Sequence, residues 1–220
     1  MAKWIDSDVK VEDYCDAADL IAKVERACRT CYKSEDHISE GSGERLIRAC
    51  IARGHESPLE HASITFRVIC DRGVSHEIVR HRIAAYSQES TRYCNYGKDK
   101  FGGELTFIRP WWVATMANND DHRWIKMLKD LEDAARYAEI TYLQLLATGA
   151  TPEMARAVLP NCLKTELVMT MNIRELRHFI KLRTSKAAHP DIRIIAGKML
   201  SLLHEMGLGV FFEDIEEIGV

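Results

Sequence analysis

The chain lacks a long apolar run, a strong net charge and any repeated or low-complexity segment, and each absence excludes a class of protein. No stretch of its 220 residues approaches the roughly 18 apolar residues that a membrane-spanning helix needs. A net charge of −3 argues against a broad nucleic-acid surface. The first residues also lack the apolar core of a signal peptide, so we expect a cytoplasmic protein.

Complete metal-ligand motifs are missing as well. The seven cysteines are scattered and odd in number, which argues against a disulfide framework in a reducing compartment. Cys28 and Cys31 have CxxC spacing, but neither a second CxxC nor an HxxxH pair accompanies them. Both cysteines fall on the apolar stripe of a predicted helix. We therefore interpret them as core residues and predict no metal site.

Apolar periodicity alternates between helix and strand along the chain. Helices are predicted over 16–33, 43–53, Ser75 to about Arg82, 118–148, a short stretch after Thr151, Asn172 to about Lys181, and Pro190 to Gly207. The predicted N-cap residues are Asp16, Ser42, Ser75, Thr151 and Asn172. Strands are predicted over 62–70, 105–108 and 165–171, with a turn at 71–73. With 46% hydrophobic residues, the chain is predicted to form one helix-rich α/β (or α+β) domain over residues 1–220, around a small sheet.

The densest chemical cluster runs from Arg80 to Tyr93. It places three arginines, one histidine and several hydroxyl groups in a short segment of a slightly acidic chain. Arginine forks bind phosphate and carboxylate groups bidentately, and histidine and hydroxyl groups orient ring edges. Its second half belongs to an irregular polar segment, 86–103, and such long loops are more often functional than idle. The cluster therefore predicts a nucleotide site.

A second cluster, from Gly54 to His61, joins a predicted helix to a predicted strand. It contains two histidines and two carboxylates, but His55 and His61 are six residues apart across a proline, which is not a recognised metal-ligand spacing. Taken alone, the segment is equally well explained as a capping turn or as part of a site.

A third cluster runs from Asn172 to Arg183. Its basic residues on one helical face are Arg174, Arg177, His178 and Lys181. Arg183 lies roughly opposite Arg174, so the two arginines serve different ligands or subunits unless the helix ends first. For Arg177 and Lys181 the simpler explanation is a solvated basic face. For Arg156, which lies beside an apolar run, it is a surface ion pair.

Four segments in this order resemble the flavin-dependent thymidylate synthases, and together they cover most of the chain. They are Gly54-His55-Glu56-Ser57-Pro58-x-Glu60-His61, the signature Arg80-His81-Arg82 followed after seven residues by Ser90-x-Arg92-Tyr93, Arg156-x-x-Leu159-Pro160, and Asn172-x-Arg174 with Arg183. The signature alone is specific in its extended form. Four matches in sequence are not expected by chance.

The resemblance implies an activity, a fold and a set of ligands. The family makes dTMP from dUMP with 5,10-methylenetetrahydrofolate as carbon donor, and a bound FAD that NADPH reduces supplies the hydride. Its members are homotetramers whose active sites lie at subunit interfaces, where FAD and dUMP stack. Neither a nucleic acid nor a membrane is expected as a partner.

The resemblance also assigns residues to ligands. The residues of the FAD and folate region are His55, Ser57, Glu60, Arg80, His81, Arg82, Ile83, Asn172, Arg174 and His178. The dUMP-binding residues are Glu77, Ser87, Gln88, Glu89, Ser90, Arg92, Arg156 and Arg183. Arg183 and Ser90 are assigned catalytic roles, Ser90 by positioning dUMP. No GxSxG elbow or paired base marks Ser90 as a nucleophile.

Other features depart from the family or stay open. His178 stands where relatives often have Asn, and Glu77 stands where some have Gln. Glu77 is expected either to accept from a ribose hydroxyl or to pair with His81 one helical turn on. Residues 94–120, with Trp111-Trp112, either line the folate entrance or pack between subunits.

The rival functions are another flavin- or nucleotide-dependent enzyme and a non-catalytic nucleotide- or RNA-binding protein. The acidic balance argues against RNA.

Overall fold

Helices and short strands alternate along residues 2–12, 16–116 and 121–216, the part of the chain that the computed structural model describes. The α-helices are α1 Ala17–Thr30, α2 Ser42–Ala52, α3 Arg72–Ile78, α4 Trp111–Met116, α5 His122–Ala147, α6 Pro152–Ala155, α7 Ile173–Arg183 and α8 Pro190–Glu205. The strands are β1 Lys3–Ile5, β2 Asp8–Val11, β3 Ser63–Asp71, β4 Ala84–Gln88, β5 Thr106–Ile108 and β6 Lys164–Asn172. The predicted helix-rich α/β class is confirmed. Cys15 and the first residues of the predicted 118–148 helix lie outside the described residues.

The strands belong to two sheets. β1 and β5 pair in parallel, with Trp4 opposite Phe107. The other four strands follow the order β2-β3-β6-β4. β3 and β6 bury alternate side chains, as their period-two pattern predicts. On β3 the fully buried side chains are those of Ile64, Phe66, Val68 and Cys70.

The chain divides into two compact units. The first unit comprises Met1–Asp8, Ile69–Ile78 and Ser87–Leu167, and the second comprises Val9–Val68, Val79–Tyr86 and Val168–Val220. The first unit has a core cluster of Ala2, Tyr96, Leu105, Phe107, Ala135, Tyr142, Ala155 and Leu163. In the second unit α7 and α8 contribute the fully buried Leu176, Phe179, Ile180, Ile192, Ile195, Met199 and Leu203.

Three of the predicted helix caps are confirmed. The side chains of Asp16, Thr151 and Asn172 each accept a hydrogen bond from a backbone N–H two or three residues ahead. Beyond α5 and α8, Gly149 and Gly207 adopt φ angles of 96° and 77°. This left-handed conformation suits glycine and ends both helices, as the sequence predicts.

The other two predicted caps are wrong. Ser42 is the first residue of α2 rather than its cap, which is Gly41, and its hydroxyl instead donates to the buried Glu25 carboxylate. Ser75 lies inside α3, because the Asp71 carboxylate accepts from the Val74 N–H at 2.7 Å and starts the helix before it. The predicted turn at 71–73 is therefore the first turn of α3. The helix ends at Ile78, short of Arg82.

The cysteine interpretation is half right. Cys28 is buried and its Sγ lies 3.5 Å from that of Cys50, whereas Cys31 is exposed. Burial raises the pKa of Cys28 to about 12, so its thiol stays protonated at neutral pH. A protonated, buried thiol behaves as a small apolar side chain, which supports core packing for Cys28.

No helix in the described part of the chain is both long and apolar enough to cross a bilayer.

Candidate functional site

His81, the centre of the Arg80–Tyr93 cluster, is held inside the second unit. It lies in the connection between α3 and β4 and is only 5% exposed. The Tyr86 hydroxyl donates to its backbone carbonyl at 2.7 Å. The edge of the Phe179 ring meets the imidazole, with 4.8 Å between ring centroids. Contacts to backbone and ring thus fix where the imidazole lies.

Both nitrogens of the His81 ring have hydrogen-bond partners on α7. Nδ1 is 3.1 Å from Oε1 of the buried Glu175, and Nε2 accepts from Nε of Arg183 at 3.0 Å. The pKa of His81 is lowered, mainly because burial disfavours the imidazolium. The ring is therefore neutral at neutral pH. We call this arrangement the Glu175–His81–Arg183 chain.

Among the described residues, one group of three has ligand atoms close enough to one another to hold a metal ion, and it lies in this region. One ligand atom each from His81, Glu175 and His178 lies within 4.8 Å of the others. However, the Arg183 guanidinium occupies Nε2 of His81, and its positive charge disfavours a cation beside it. The chemistry of this group therefore favours an organic or anionic ligand.

A cavity of about 480 Å³ lies along the polar face of α7. Its lining residues are Glu56, Glu60, Ile83, Asn172, Arg174, Glu175, Arg177, His178 and Lys181. We call it the α7 cavity. The four basic residues predicted to share a helical face all line it, and so do five of the predicted cofactor residues. They are Glu60, Ile83, Asn172, Arg174 and His178.

The mouth and the floor of the α7 cavity hold opposite charges in pairs. Arg174 is half-exposed and lies 2.5 Å from the Glu60 carboxylate and 3.5 Å from that of Glu56. Arg177 is buried, and its guanidinium forks onto Asp214 at 2.7 and 2.9 Å while also donating to the Phe211 carbonyl. The solvated-face interpretation is therefore wrong for Arg177. Lys181 is half-exposed and contacts the same Asp214.

The Nε atom of Arg177, a residue that lines the α7 cavity, is buried and has no hydrogen-bond partner among the described residues. The Glu56 Oε1 atom lies 3.8 Å from it and is thus beyond hydrogen-bond distance. Buried polar groups are rarely left unpaired. A ligand acceptor entering this cavity would satisfy that donor.

Asp214 makes the stability of the second unit depend on pH. Its pKa is held well below the usual range, mainly by the hydrogen bond from Arg177. A lowered folded-state pKa gives stability that is fully present above the unfolded pKa, about 3.9, and is lost as pH falls through the folded value. We expect Asp214→Asn to be about 1 kcal/mol less stable than wild type at pH 7, since the carboxylate is half-exposed. Urea unfolding should show this difference shrinking below pH 4; an equal difference at pH 3 would contradict it.

In the first unit, side chains of α3, of β6 and of the segment after β4 hold Gln88, the last residue of β4, and Glu89, which follows it. The Gln88 amide donates to the hydroxyls of Ser75 and Thr165 at 3.0 and 3.1 Å. The Glu89 carboxylate accepts from the Tyr96 hydroxyl at 2.7 Å and from Lys164 at 2.8 Å. These bonds fix two of the predicted dUMP-binding side chains in a polar, partly buried environment.

Ser90 and Arg92 follow in a turn. The Ser90 hydroxyl accepts from the Arg92 N–H at 3.3 Å, and its carbonyl accepts from the Cys94 N–H at 2.9 Å. The Arg92 guanidinium lies 3.1 Å from the Glu153 carboxylate and 5.2 Å from the Tyr93 ring centroid. A serine that caps its own turn suits a positioning role better than nucleophilic attack.

The remaining predicted residues are more accessible. Those classed as exposed are His55, Ser57, Arg80, Arg82, Ser87 and Arg156, whereas Glu77 is half-buried. The predicted contact between Glu77 and His81 assumed that both lie on one helix. This assumption is wrong, because α3 ends at Ile78, between them. The ring of His81 contacts Glu175 instead.

The two predicted ligand sets separate between the two units. All of the predicted cofactor residues belong to the second unit. All of the predicted dUMP residues belong to the first, with the exception of Arg183. Glu56, Glu175 and Asp214 were not predicted as site residues. Glu56 lay inside the quoted second motif, but nothing local marked the other two.

Comparison with known proteins identifies the family to which the chain is similar. The family model described as thymidylate synthase complementing protein (Thy1) matches residues 10–206. The chain is 37% identical over 169 residues to the flavin-dependent thymidylate synthase of Pyrococcus furiosus, covering 76% of this chain and 65% of that one. It therefore spans just under two thirds of that relative's length. It is 34% identical over 197 residues to the flavin-dependent thymidylate synthase of Geobacter sulfurreducens, covering 86% of this chain and 80% of that one.

Among solved structures, the chain is similar to the UMP/dUMP methylase PolB of Streptomyces cacaoi, whose crystal structure has 5-Br dUMP bound. The TM-score is 0.79 at 26% sequence identity, and the match covers 99% of this chain and all of that one. The chain therefore shares the fold of that protein.

Proposed function

Because the chain belongs to the flavin-dependent thymidylate synthase family, we propose that it catalyses the reductive methylation of dUMP to dTMP. The carbon comes from 5,10-methylenetetrahydrofolate, and NADPH reduces the flavin. The observation that carries the proposal is the α7 cavity, where residues of two separate family motifs line one partly buried site of paired positive and negative side chains.

The residues of the α7 cavity fit FAD. Its lining includes guanidinium and ammonium groups, each paired here with a carboxylate, that would turn to a pyrophosphate, and amide and imidazole groups for ring edges. The unpartnered Arg177 Nε supports a bound acceptor there. Asn172, Arg174 and His178 would hold the cofactor, which supplies the hydride when bound. The chain's own contribution is orientation and charge.

For dUMP, the chemistry requires a group that accepts negative charge. Uracil becomes electron-rich as C5 attacks the methylene carbon, so a cation at a ring carbonyl stabilises the developing charge. We assign this role to Arg183. Arg92 and Arg156 suit the phosphate, and Ser90 and Gln88 suit the sugar or base. The 5-Br dUMP in the Streptomyces methylase supports a pyrimidine nucleotide as substrate.

We propose that no cysteine attacks the substrate. Cys162 is half-buried, and burial raises the pKa of its thiol to about 11, so little thiolate exists at neutral pH. Cys94 packs against the first unit's core. Cys94→Ala and Cys162→Ala are each expected to retain tritium release from C5-labelled dUMP within about threefold of wild type, since neither thiol takes part in the reaction. Loss of release in a folded, flavin-loaded variant would contradict this.

The test of the function is the visible spectrum of the purified protein during anaerobic NADPH addition, with and without dUMP. We expect a flavin spectrum that bleaches faster with dUMP, and dTMP once methylenetetrahydrofolate is added. Flavin without dTMP would favour another flavoenzyme. Failure to take up FAD would undo the assignments on α7.

A second substrate is tested in the same assay. The likeness to a UMP/dUMP methylase makes UMP the alternative acceptor. Comparing kcat/KM for dUMP and UMP decides between them, and we expect dUMP to be preferred.

We further propose that residues 1–220 act as one catalytic domain in a cytoplasmic homotetramer. Apolar side chains exposed on α5 support self-association, since burying them at an interface removes apolar surface from water. They are Ile125, Met127, Tyr137 and Ile140. Light scattering after gel filtration tests the assembly, and a monomer that still forms dTMP would contradict it.

A further inference from the structure

We propose that Glu175 is a positioning residue, which orients the His81 ring so that this ring in turn holds the Arg183 guanidinium. The inference rests on the proposed function for its consequence in catalysis. The contacts themselves lie within the second unit and involve three side chains, none more than half-exposed.

The two partners of His81 select the same tautomer. A carboxylate only accepts hydrogen bonds, so Glu175 requires a proton on Nδ1. A guanidinium only donates, so Arg183 requires a lone pair on Nε2. The neutral Nδ1–H ring satisfies both at once. Any other protonation state of the ring breaks one of these two bonds.

The local sequence explains why the Glu175 carboxylate is available. Glutamate at the third position of a helix usually reaches back to the backbone N–H of the cap residue. Here the Asn172 side chain accepts from the Glu175 N–H at 2.9 Å, while the Glu175 carboxylate points to His81. A buried carboxylate is costly, and its partner here is a neutral ring rather than a cation. Stability is therefore a poor reason for its presence, and orientation is a better one.

The bond that Arg183 donates to His81 constrains the guanidinium at one specific atom. It engages Nε, which belongs to the same planar group as the two terminal nitrogens. Fixing Nε sets the plane of the whole guanidinium, because that group is rigid. Misplacement of a catalytic group by about 1 Å can cost about 100-fold in rate.

The test compares Glu175→Gln with Glu175→Met. The glutamine keeps an oxygen that accepts from Nδ1–H, whereas methionine has similar length and no comparable acceptor. We expect Glu175→Gln to keep kcat for dTMP formation within about fivefold of wild type and Glu175→Met to lower it by up to about 100-fold. The KM for NADPH should stay unchanged in both, because Arg183 is assigned to dUMP.

A structural readout that needs no substrate accompanies the kinetics. Nitrogen-15 NMR of the flavin-loaded protein reports the tautomer of His81 and the rate at which the Arg183 Nε–H exchanges with solvent. The His81 signals are assigned by their disappearance in His81→Asn. We expect the Nδ1–H tautomer and slow exchange in wild type and Glu175→Gln. In Glu175→Met we expect mixed tautomers and at least tenfold faster exchange. Arg48→Lys is the control, since it alters an exposed ion pair with Glu213 in the same unit rather than a contact of the Glu175–His81–Arg183 chain.

The outcomes separate this inference from the proposed function. An Nε2–H tautomer in wild type, or unchanged exchange in Glu175→Met, overturns the positioning role even if dTMP forms. The positioning role is also overturned if kcat for dTMP formation falls as far in Glu175→Gln as in Glu175→Met. If no dTMP forms from dUMP, the proposed function fails, while the NMR result still decides whether Glu175 orients His81 and Arg183.

Discussion

Replacing Arg183 with lysine is expected to lower the rate of dTMP formation by about 100- to 1000-fold, the usual cost of removing one donor to a developing negative charge. The guanidinium donates through Nε to His81, and the proposed role requires its terminal nitrogens to reach a uracil carbonyl at the same time. A lysine ammonium is a single point on a flexible stem and cannot hold the same geometry at both partners. Initial rates at saturating dUMP measure the effect as a fall in kcat.

A matched control separates the site from the loss of an arginine in general. Arg48→Lys makes the same exchange at an exposed ion pair with Glu213 in the same unit. It should leave turnover unchanged. Flavin content should be equal in wild type and in both variants, because the α7 cavity lining does not include Arg183 or Arg48. Arg183→Lys turnover within tenfold of wild type would refute the assigned role.

Sequence periodicity predicted the elements whose signals are local. β3 and β6 alternate strictly over their length because one face of each packs into the core. α7 begins at its predicted cap, because Asn172 can bond a backbone N–H three residues away without help from the rest of the fold. Such signals do not depend on distant parts of the chain.

The elements that were missed depend on distant partners. β1, β2 and β4 have three to five residues each, too few to establish a period. β1 exists as a strand because it pairs with β5, about a hundred residues later in the chain. The propensity of short strands is set by such context rather than by their own residues. α4, which follows Pro110, was equally unmarked by periodicity.

The same division applies to the candidate site. Four basic residues on one helical face were predicted, and the α7 cavity contains all of them. The pattern could not show that Arg177 is buried, because Asp214, which pairs with it, lies beyond the end of α8. Glu175 was missed for the same reason, since its partner His81 is 94 residues away. A helical wheel gives the direction of a side chain, but its burial and partners require the fold.

Replacing Glu25 with methionine is expected to destabilise the protein by about 3–5 kcal/mol, the cost of breaking a buried ion pair from one side. Glu25 and Arg29 lie one turn apart on α1, and both side chains are less than 10% exposed. Glu25 Oε1 accepts from Nε and Nη2 of Arg29 at 2.8 and 2.6 Å, and from the Ser42 hydroxyl at 2.5 Å. Without that carboxylate, the positive charge of Arg29 stays buried and loses the ion pair with Glu25. Urea unfolding at pH 7 measures the loss.

The double variant Glu25→Met/Arg29→Met decides whether the loss comes from the stranded charge. Two apolar side chains of similar length leave no ion in the core, so we expect the double variant to regain at least half of the stability that Glu25→Met loses. Recovery is expected to be incomplete, because the Ser42 hydroxyl and the Ser34 carbonyl each lose a partner. Glu213→Gln, which breaks an exposed pair with Arg48, should barely move the unfolding midpoint. A double variant no more stable than Glu25→Met would mean that packing around α1, rather than the unpaired charge, accounts for the loss.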